Sequence, residues 1–429
     1  MVPSLLTGLA WASESAHSEA TGLNMSAIVT LILGIAAAYL LTHFVIEAIQ
    51  RRFLFRSGIE YLILGIFLGP MGLGVGVFDD LTPVAPFVAL AAGWVGLLAG
   101  MGFNLRTLVH SEDISPRLSL LESAGSGLAV AVAAHFVLRS GWLGTFDADH
   151  AWLAAGAMGA TAAAGSSSAV ELVSTRYGLT GGVAGILHRA SALSDFLAIA
   201  VFGLLFCVFH EAPTQYSRPL TPTEWAVVTV GVGVVLGLTY SLMIGEDDSE
   251  NNRFLSLVGI IAFSSGAAWF LSLSPLLVSL ALGVVLVNTA KRGGEIRDTL
   301  IRTARPMSLV LMVFAGALWT PPDDVLATIV ITAGALLMRF AGKALGGWAG
   351  VAGTPLPRTV ARGLLAQGDV AVAMAISFRL VYDGAAIDMA YTAILASVIL
   401  NEMIAPRALK GLLVDVGQIR TELQPTKEG

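Results

Sequence analysis

The stretch at 190–203, ASALSDFLAIAVFG, holds a single carboxylate, Asp195, among residues suited to lipid. Its nearest charged neighbours along the chain are Arg189, just before the stretch, and Glu211, beyond its far end. Two further stretches set polar groups in apolar surroundings. GATAAAGSSSAVELV (159–173) carries Thr161 and a run of hydroxyls, Ser166, Ser167 and Ser168. ARGLLAQGDVAVAMA (361–375) carries Asp369 directly after Gly368. A last pair is cationic: Arg339 and Lys343 in GALLMRFAGKALGGW (334–348), four residues apart and so on one face of a helix.

An ionised carboxylate at the centre of a bilayer costs about 2.5–3.5 kcal/mol on the insertion scale. A bound proton or a bound cation in a wet cavity offsets that cost. Burial favours the neutral acid, and a neighbouring cation favours the carboxylate. Both ligands need the same oxygens, so binding one expels the other, which is the chemistry of a proton–cation exchange site. The plainer alternative is a structural Asp195 bonded to Ser194 or Ser191. The hydroxyls of Thr161 and of 166–168 suit a dehydrated cation or freed backbone groups. Asp369 is placed to offset a positive half-helix N-terminus. Arg339 needs a buried anionic partner, for which Asp369 and Asp195 are the candidates. Lys343 either shares that role or snorkels to the interface. Glu122, Glu171 and Glu402 are expected to pair with Arg117, Arg176 and Arg407, although Glu402 roughly mirrors Asp195 in position. His43 and His188 are read as packing or interfacial residues.

These groups need elements that hold them inside a membrane. The chain is 55% hydrophobic and 13% charged, with mean hydropathy +0.78, against about 25% charged residues in soluble domains. Apolar runs long enough to cross a ~30 Å hydrocarbon core recur from Ser26 almost to the C-terminus. Thirteen spans are expected: 26–49, 59–76, 83–104, 117–139, 151–174, 183–209, 223–244, 254–272, 274–290, 305–320, 324–350, 360–381 and 387–413. The division at 272–274 is the faintest of these boundaries. With the N-terminus outside, 19 of the 24 basic residues fall in inner loops and only Arg139 and Arg218 in outer ones, as the positive-inside rule requires. The fold class is therefore an all-α polytopic membrane protein with its C-terminus in the cytoplasm.

Residues 1–25 lack the basic region of a signal peptide and are read as an exported polar tail. Residues 414–429 form a cytoplasmic tail, and the hydrophilic loops 245–253 and 291–304 are too short to fold alone. A single Cys207 excludes an intramolecular disulfide framework. The phosphate-loop pattern G-x-x-x-x-G-K-[ST] is absent, so ATP does not drive this chain from within. A channel or secondary transporter is expected, with no enzyme activity and no cofactor. The spans holding 159–173 and 361–375 run in opposite directions, each with a glycine and polar residues in mid-membrane. That pairing is the sign of an inverted repeat with discontinuous helices meeting near the midplane.

The motifs GSSSAVELVSTRYGLTGGVAGILHRASALSDFLAI, LSPLLVSLALGVVL, RFAGKALGGW and RGLLAQGDVAVA occur here in order, preceded by YLILGIFLGPMGLG and GLLAGMGFNL. Over about residues 30 to 410 they resemble the monovalent cation:proton antiporter superfamily. The similarity is strongest to its bacterial branch with glutathione-gated potassium efflux antiporters. The resemblance implies crossed, unwound helices in a mobile core domain (about 83–209 and 305–413) beside a dimerisation domain (about 26–76 and 223–290). It implies Na+ or K+ exchanged for H+ in a bacterial inner membrane by a homodimer surrounded by lipid, with Asp195 as the carboxylate that binds the metal ion. It places the core's basic residue on Lys343 by spacing, whereas depth favours Arg339, and an acidic residue on Asp369. Ser194 stands where relatives carry Asp or Asn, which makes a one-for-one, electroneutral exchange the simplest stoichiometry. The branch's regulatory nucleotide-binding domain is missing, and Gly102 stands where the family usually has an acid. A non-transporting sensor or scaffold of the same fold and a cation channel are the alternatives.

Overall fold

The computed structural model describes residues 58–70, 85–105, 114–141, 146–210, 220–243 and 250–419. The expected first span at 26–49, the tail 1–25, His43, and residues 71–76 and 420–429 lie outside them. In chain order the helices are α1 (Ile59–Leu68), α2 (Ala85–Met101), α3 (Ser115–Arg139), α4 (Ala148–Ala163), α5 (Ser167–Arg176), α6 (Gly182–Val208) and α7 (Pro222–Met243). They continue as α8 (Glu250–Phe270), α9 (Pro275–Thr289), α10 (Gly293–Ala317), α11 (Val325–Gly350), a 3-10 turn (Val360–Leu364), α12 (Asp369–Val381) and α13 (Ala385–Asp415). Seven of them, α3, α6, α7, α8, α10, α11 and α13, are long and apolar enough to cross a membrane.

Local chemistry sets the helix starts. Asp147 accepts from Asp149 N at 3.2 Å to cap α4, and Asp324 accepts from Ala327 N at 2.9 Å to cap α11. At the faint 272–274 boundary Ser272 adopts φ 54°. Ser274 then caps Leu277 N at 3.4 Å, with Pro275 at the first helical position, so α8 and α9 are separate helices. One expectation fails here. Residues 291–304, read as a hydrophilic loop, are mostly the first half of α10. Their charges conceal an amphipathic stripe in which Ile296, Thr299 and Leu300 are buried on one face.

Small residues let backbones meet where lipid offers no hydrophobic drive for association. A Cβ on Gly342 of α11 would lie 2.6 Å from Ser126 Cα on α3, so these two helices touch main chain to main chain. Helices α3, α4, α6, α11 and α13 pack as one group, and α1, α2, α7, α8, α9 and α10 as another. The grouping expected from the sequence puts 83–104 and 305–320 with the core, whereas α2 and α10 pack chiefly against α1, α8 and α9. The short α12 touches both groups.

Candidate ion-binding site

Both marked stretches contain a break. Helix α4 stops at Ala163, Ala164 turns extended at ψ 144°, and α5 restarts at Ser167 with Ser166 as its cap. The 3-10 turn stops at Leu364, and α12 starts at Asp369 after an extended Gly368. The breaks touch: Gly368 N donates to Gly165 O at 3.2 Å. A Cβ on Gly165 would sit 3.0 Å from Ser191 O of α6, which leaves little room for a side chain.

A broken helix frees carbonyls on the segment before the break and N–H groups on the segment after it. Arg339 gathers the carbonyls. Its Nε donates to Ala162 O at 3.1 Å and its Nη1 to Leu365 O at 2.8 Å. Its Nη2 reaches Ala164 O at 3.2 Å and Ala366 O at 3.3 Å. The expected carboxylate partner is thus replaced by four carbonyls, two from each break. Their partial negative charge balances a guanidinium that is only 1% exposed. Gln367 adds a second tie, donating Nε2 to Thr161 O at 2.8 Å and accepting from Ser397 Oγ and Asn401 Nδ2, each at 3.0 Å.

The freed N–H ends face the acids. Gly165 N donates to Asp195 Oδ1 at 3.1 Å. Asp369 is the first residue of α12 and accepts from Ser308 Oγ of α10 at 2.6 Å. A cavity of about 470 Å³ is lined by Asp195, Asp369, Ser166, Ser167, Ser168 and Ser308. Its lining extends to Glu171, His188, Arg297 and Arg305, and the His188 ring meets Ser167 O at 3.2 Å. These donors are carboxylate and hydroxyl oxygens, the hard ligands that suit a hard cation. No cluster of three His, Cys, Asp or Glu that could hold a metal occurs among the described residues.

Lys343 neither snorkels nor meets a cavity acid. It forms an ion pair with Glu122 of α3, both side chains being fully buried. Glu122 also accepts from Ser194 Oγ, which lies 3.1 Å from Ser119 Oγ and 2.9 Å from Ala190 O. Arg117, the expected partner of Glu122, instead donates to Ala349 O and Ala352 O at 3.0 and 3.1 Å, at the end of α11. Ser194 therefore turns toward Glu122 and is not among the cavity-lining residues. Nor is Thr161, whose hydroxyl sits 3.0 Å from Ala157 O and 2.9 Å from Met158 O. Thr161 contributes its main-chain carbonyl instead. Sequence reasoning missed Glu122, Ser308, Gln367 and Asn401 as parts of this assembly. For Glu122 a signal existed: it lies seven residues from Ser115, as Lys343 lies seven from Gly350, which sets both at one depth in antiparallel helices.

No family model matches the chain. Sodium/hydrogen exchanger 9B1 of Macaca fascicularis is 24% identical over 153 residues, which are 35% of this chain and 29% of that protein. The alignment thus spans less than a third of that relative's length. A solved structure of the sodium proton antiporter MjNhaP1 from Methanocaldococcus jannaschii matches with TM-score 0.63 and 16% identity, covering 91% of this chain and 98% of that one. A second structure of MjNhaP1 matches with TM-score 0.58, over 92% of this chain and 100% of the other. The chain has the fold of a sodium proton antiporter, and its resemblance to the monovalent cation:proton antiporter superfamily holds at the level of fold.

Proposed function

We propose that this chain is a secondary antiporter exchanging Na+ or K+ for H+, with Asp195 as the shared carrier. The observation that carries this reading is the position of Asp195. It lies at the break of an interrupted helix, held by Gly165 N, and lines a cavity that also holds three serines. A cation in the cavity displaces the proton from Asp195, and the hydroxyls at 166–168 replace part of its water shell. A bare carboxylate is costly at that depth, so each half-cycle carries either the ion or the proton, which prevents a leak.

Alternating access follows if α3–α6 and α11–α13 move against α1, α2 and α7–α10, the second group being joined to another copy in a homodimer. One proton for one cation is the proposed stoichiometry. Asp369 is engaged by Ser308 and by the positive end of α12, which leaves Asp195 as the exchanging acid. The proposed setting is a bacterial inner membrane with the N-terminus outside and the C-terminus within, and the excess of basic residues in the inner loops supports a cytoplasmic side for Arg297 and Arg305. The test is dissipation of an imposed pH gradient in proteoliposomes on adding Na+, K+ or choline. Wild type should respond to Na+ or K+ and not to choline, and Asp195→Asn should not respond. Silence of a correctly inserted wild type would overturn the proposal.

A further inference from the structure

We infer that Glu171 forms a second, weaker cation subsite at the mouth of the cavity, from which Asp195 is loaded. The inference rests on the exchange reading and goes beyond it. Helix α5 begins at the break and points away from it. Glu171 lies one turn past Ser167, about 6 Å along the axis at 1.5 Å per residue. The same cavity is lined by Ser167, Ser168 and Glu171, so one face of α5 carries oxygens from the break toward the mouth. Glu171 is exposed. Arg176, its expected partner, lies five residues on, a spacing that does not put two side chains together on a helix. No ion pair of Glu171 occurs among the described residues.

The wall facing it explains why such a subsite is needed. Helix α10 contributes Arg297 and Arg305 to the lining, eight residues apart on one face, and α6 adds His188. A cation moving inward must therefore pass two guanidiniums, and of the three carboxylates in the lining, Glu171, Asp195 and Asp369, Glu171 is the exposed one that it meets first. One carboxylate with one or two hydroxyls does not replace a full water shell. The ligand is accordingly a hydrated monovalent cation, held loosely and passed inward to Asp195.

A unit charge about 6 Å from a cation held at the Ser167 end of the cavity, in a water-like medium, changes its local occupancy about threefold. The experiment is the initial rate of cation-driven proton flux in proteoliposomes against Na+ or K+ concentration, at low ionic strength. Glu171→Gln should raise the half-saturating concentration about threefold with little change in maximal rate, and Glu171→Asp should restore most of the affinity. Arg297→Gln should shift it the opposite way. In about 1 M N-methylglucamine chloride, where the Debye length is about 3 Å, these differences should vanish. Wild-type saturation in Glu171→Gln at low salt, or a loss confined to maximal rate, would overturn the inference while leaving the exchange reading intact. A wild type without any cation-driven flux would instead overturn the exchange reading, and the subsite with it.

Discussion

Removing one partner of the Glu122–Lys343 pair is the sharpest structural perturbation available. Both side chains are fully buried. Glu122→Gln keeps the size and an acceptor for Ser194 but strands an ammonium in a low-dielectric interior. Breaking a buried pair in this way costs about 3–5 kcal/mol. Lys343→Met strands the carboxylate instead, but Ser194 and Ser123 still bond to it, so the loss should fall at the lower end of that range. The double variant removes both charges and leaves Gln beside Met, an exchange that is often close to neutral. Its destabilisation should therefore lie at least about 2–3 kcal/mol below the sum of the singles. Unfolding in mixed micelles of rising anionic-detergent fraction, followed by tryptophan emission, measures all four proteins. Singles that each cost less than about 1 kcal/mol, or strict additivity in the double, would refute the pairing.

Arg339→Lys retains the charge but offers at most three donors to four carbonyls. At least one break carbonyl then goes unsatisfied, and a loss of about 1–3 kcal/mol is expected in the same unfolding assay. Gly342→Ala pushes α11 from α3 at a contact of 2.6 Å. It should cost about 1–3 kcal/mol, whereas Gly334→Ala, which meets open space on the same helix, should cost nothing measurable. Asp147 sits at the start of α4, and the N–H of Asp149 holds its carboxyl below the usual 3.8. The folded-state value is the lower one, so its charge contributes stability above pH 3.8 and loses it as pH falls through the folded value. Melting curves of wild type and Asp147→Asn should thus differ slightly at neutral pH and converge in acid.

Span positions were largely legible because hydropathy and loop charge are properties of whole segments, and both breaks announced themselves through Gly165 and Gly368 in polar runs. What escaped were features that depend on a partner. The first half of α10 was hidden because its three arginines mask the buried stripe of Ile296 and Leu300. The sequence points Arg339 to a carboxylate because formal charges are visible in it, while the carbonyl ends of half-helices are not. Nearness along one helix points Glu122 to Arg117, yet its partner lies 221 residues away on α11. Ser194 sits beside Asp195 in the chain, but successive residues of a helix face different sides, and this one faces Glu122.

The most direct test of competition at Asp195 is proton release from purified protein in weakly buffered detergent solution as Na+ or K+ is titrated in. Wild type should release about one proton for each cation bound, with apparent affinity rising as pH rises. Asp195→Asn should release none. Cation binding without proton release in wild type, or unchanged release in Asp195→Asn, would contradict Asp195 as the shared carrier.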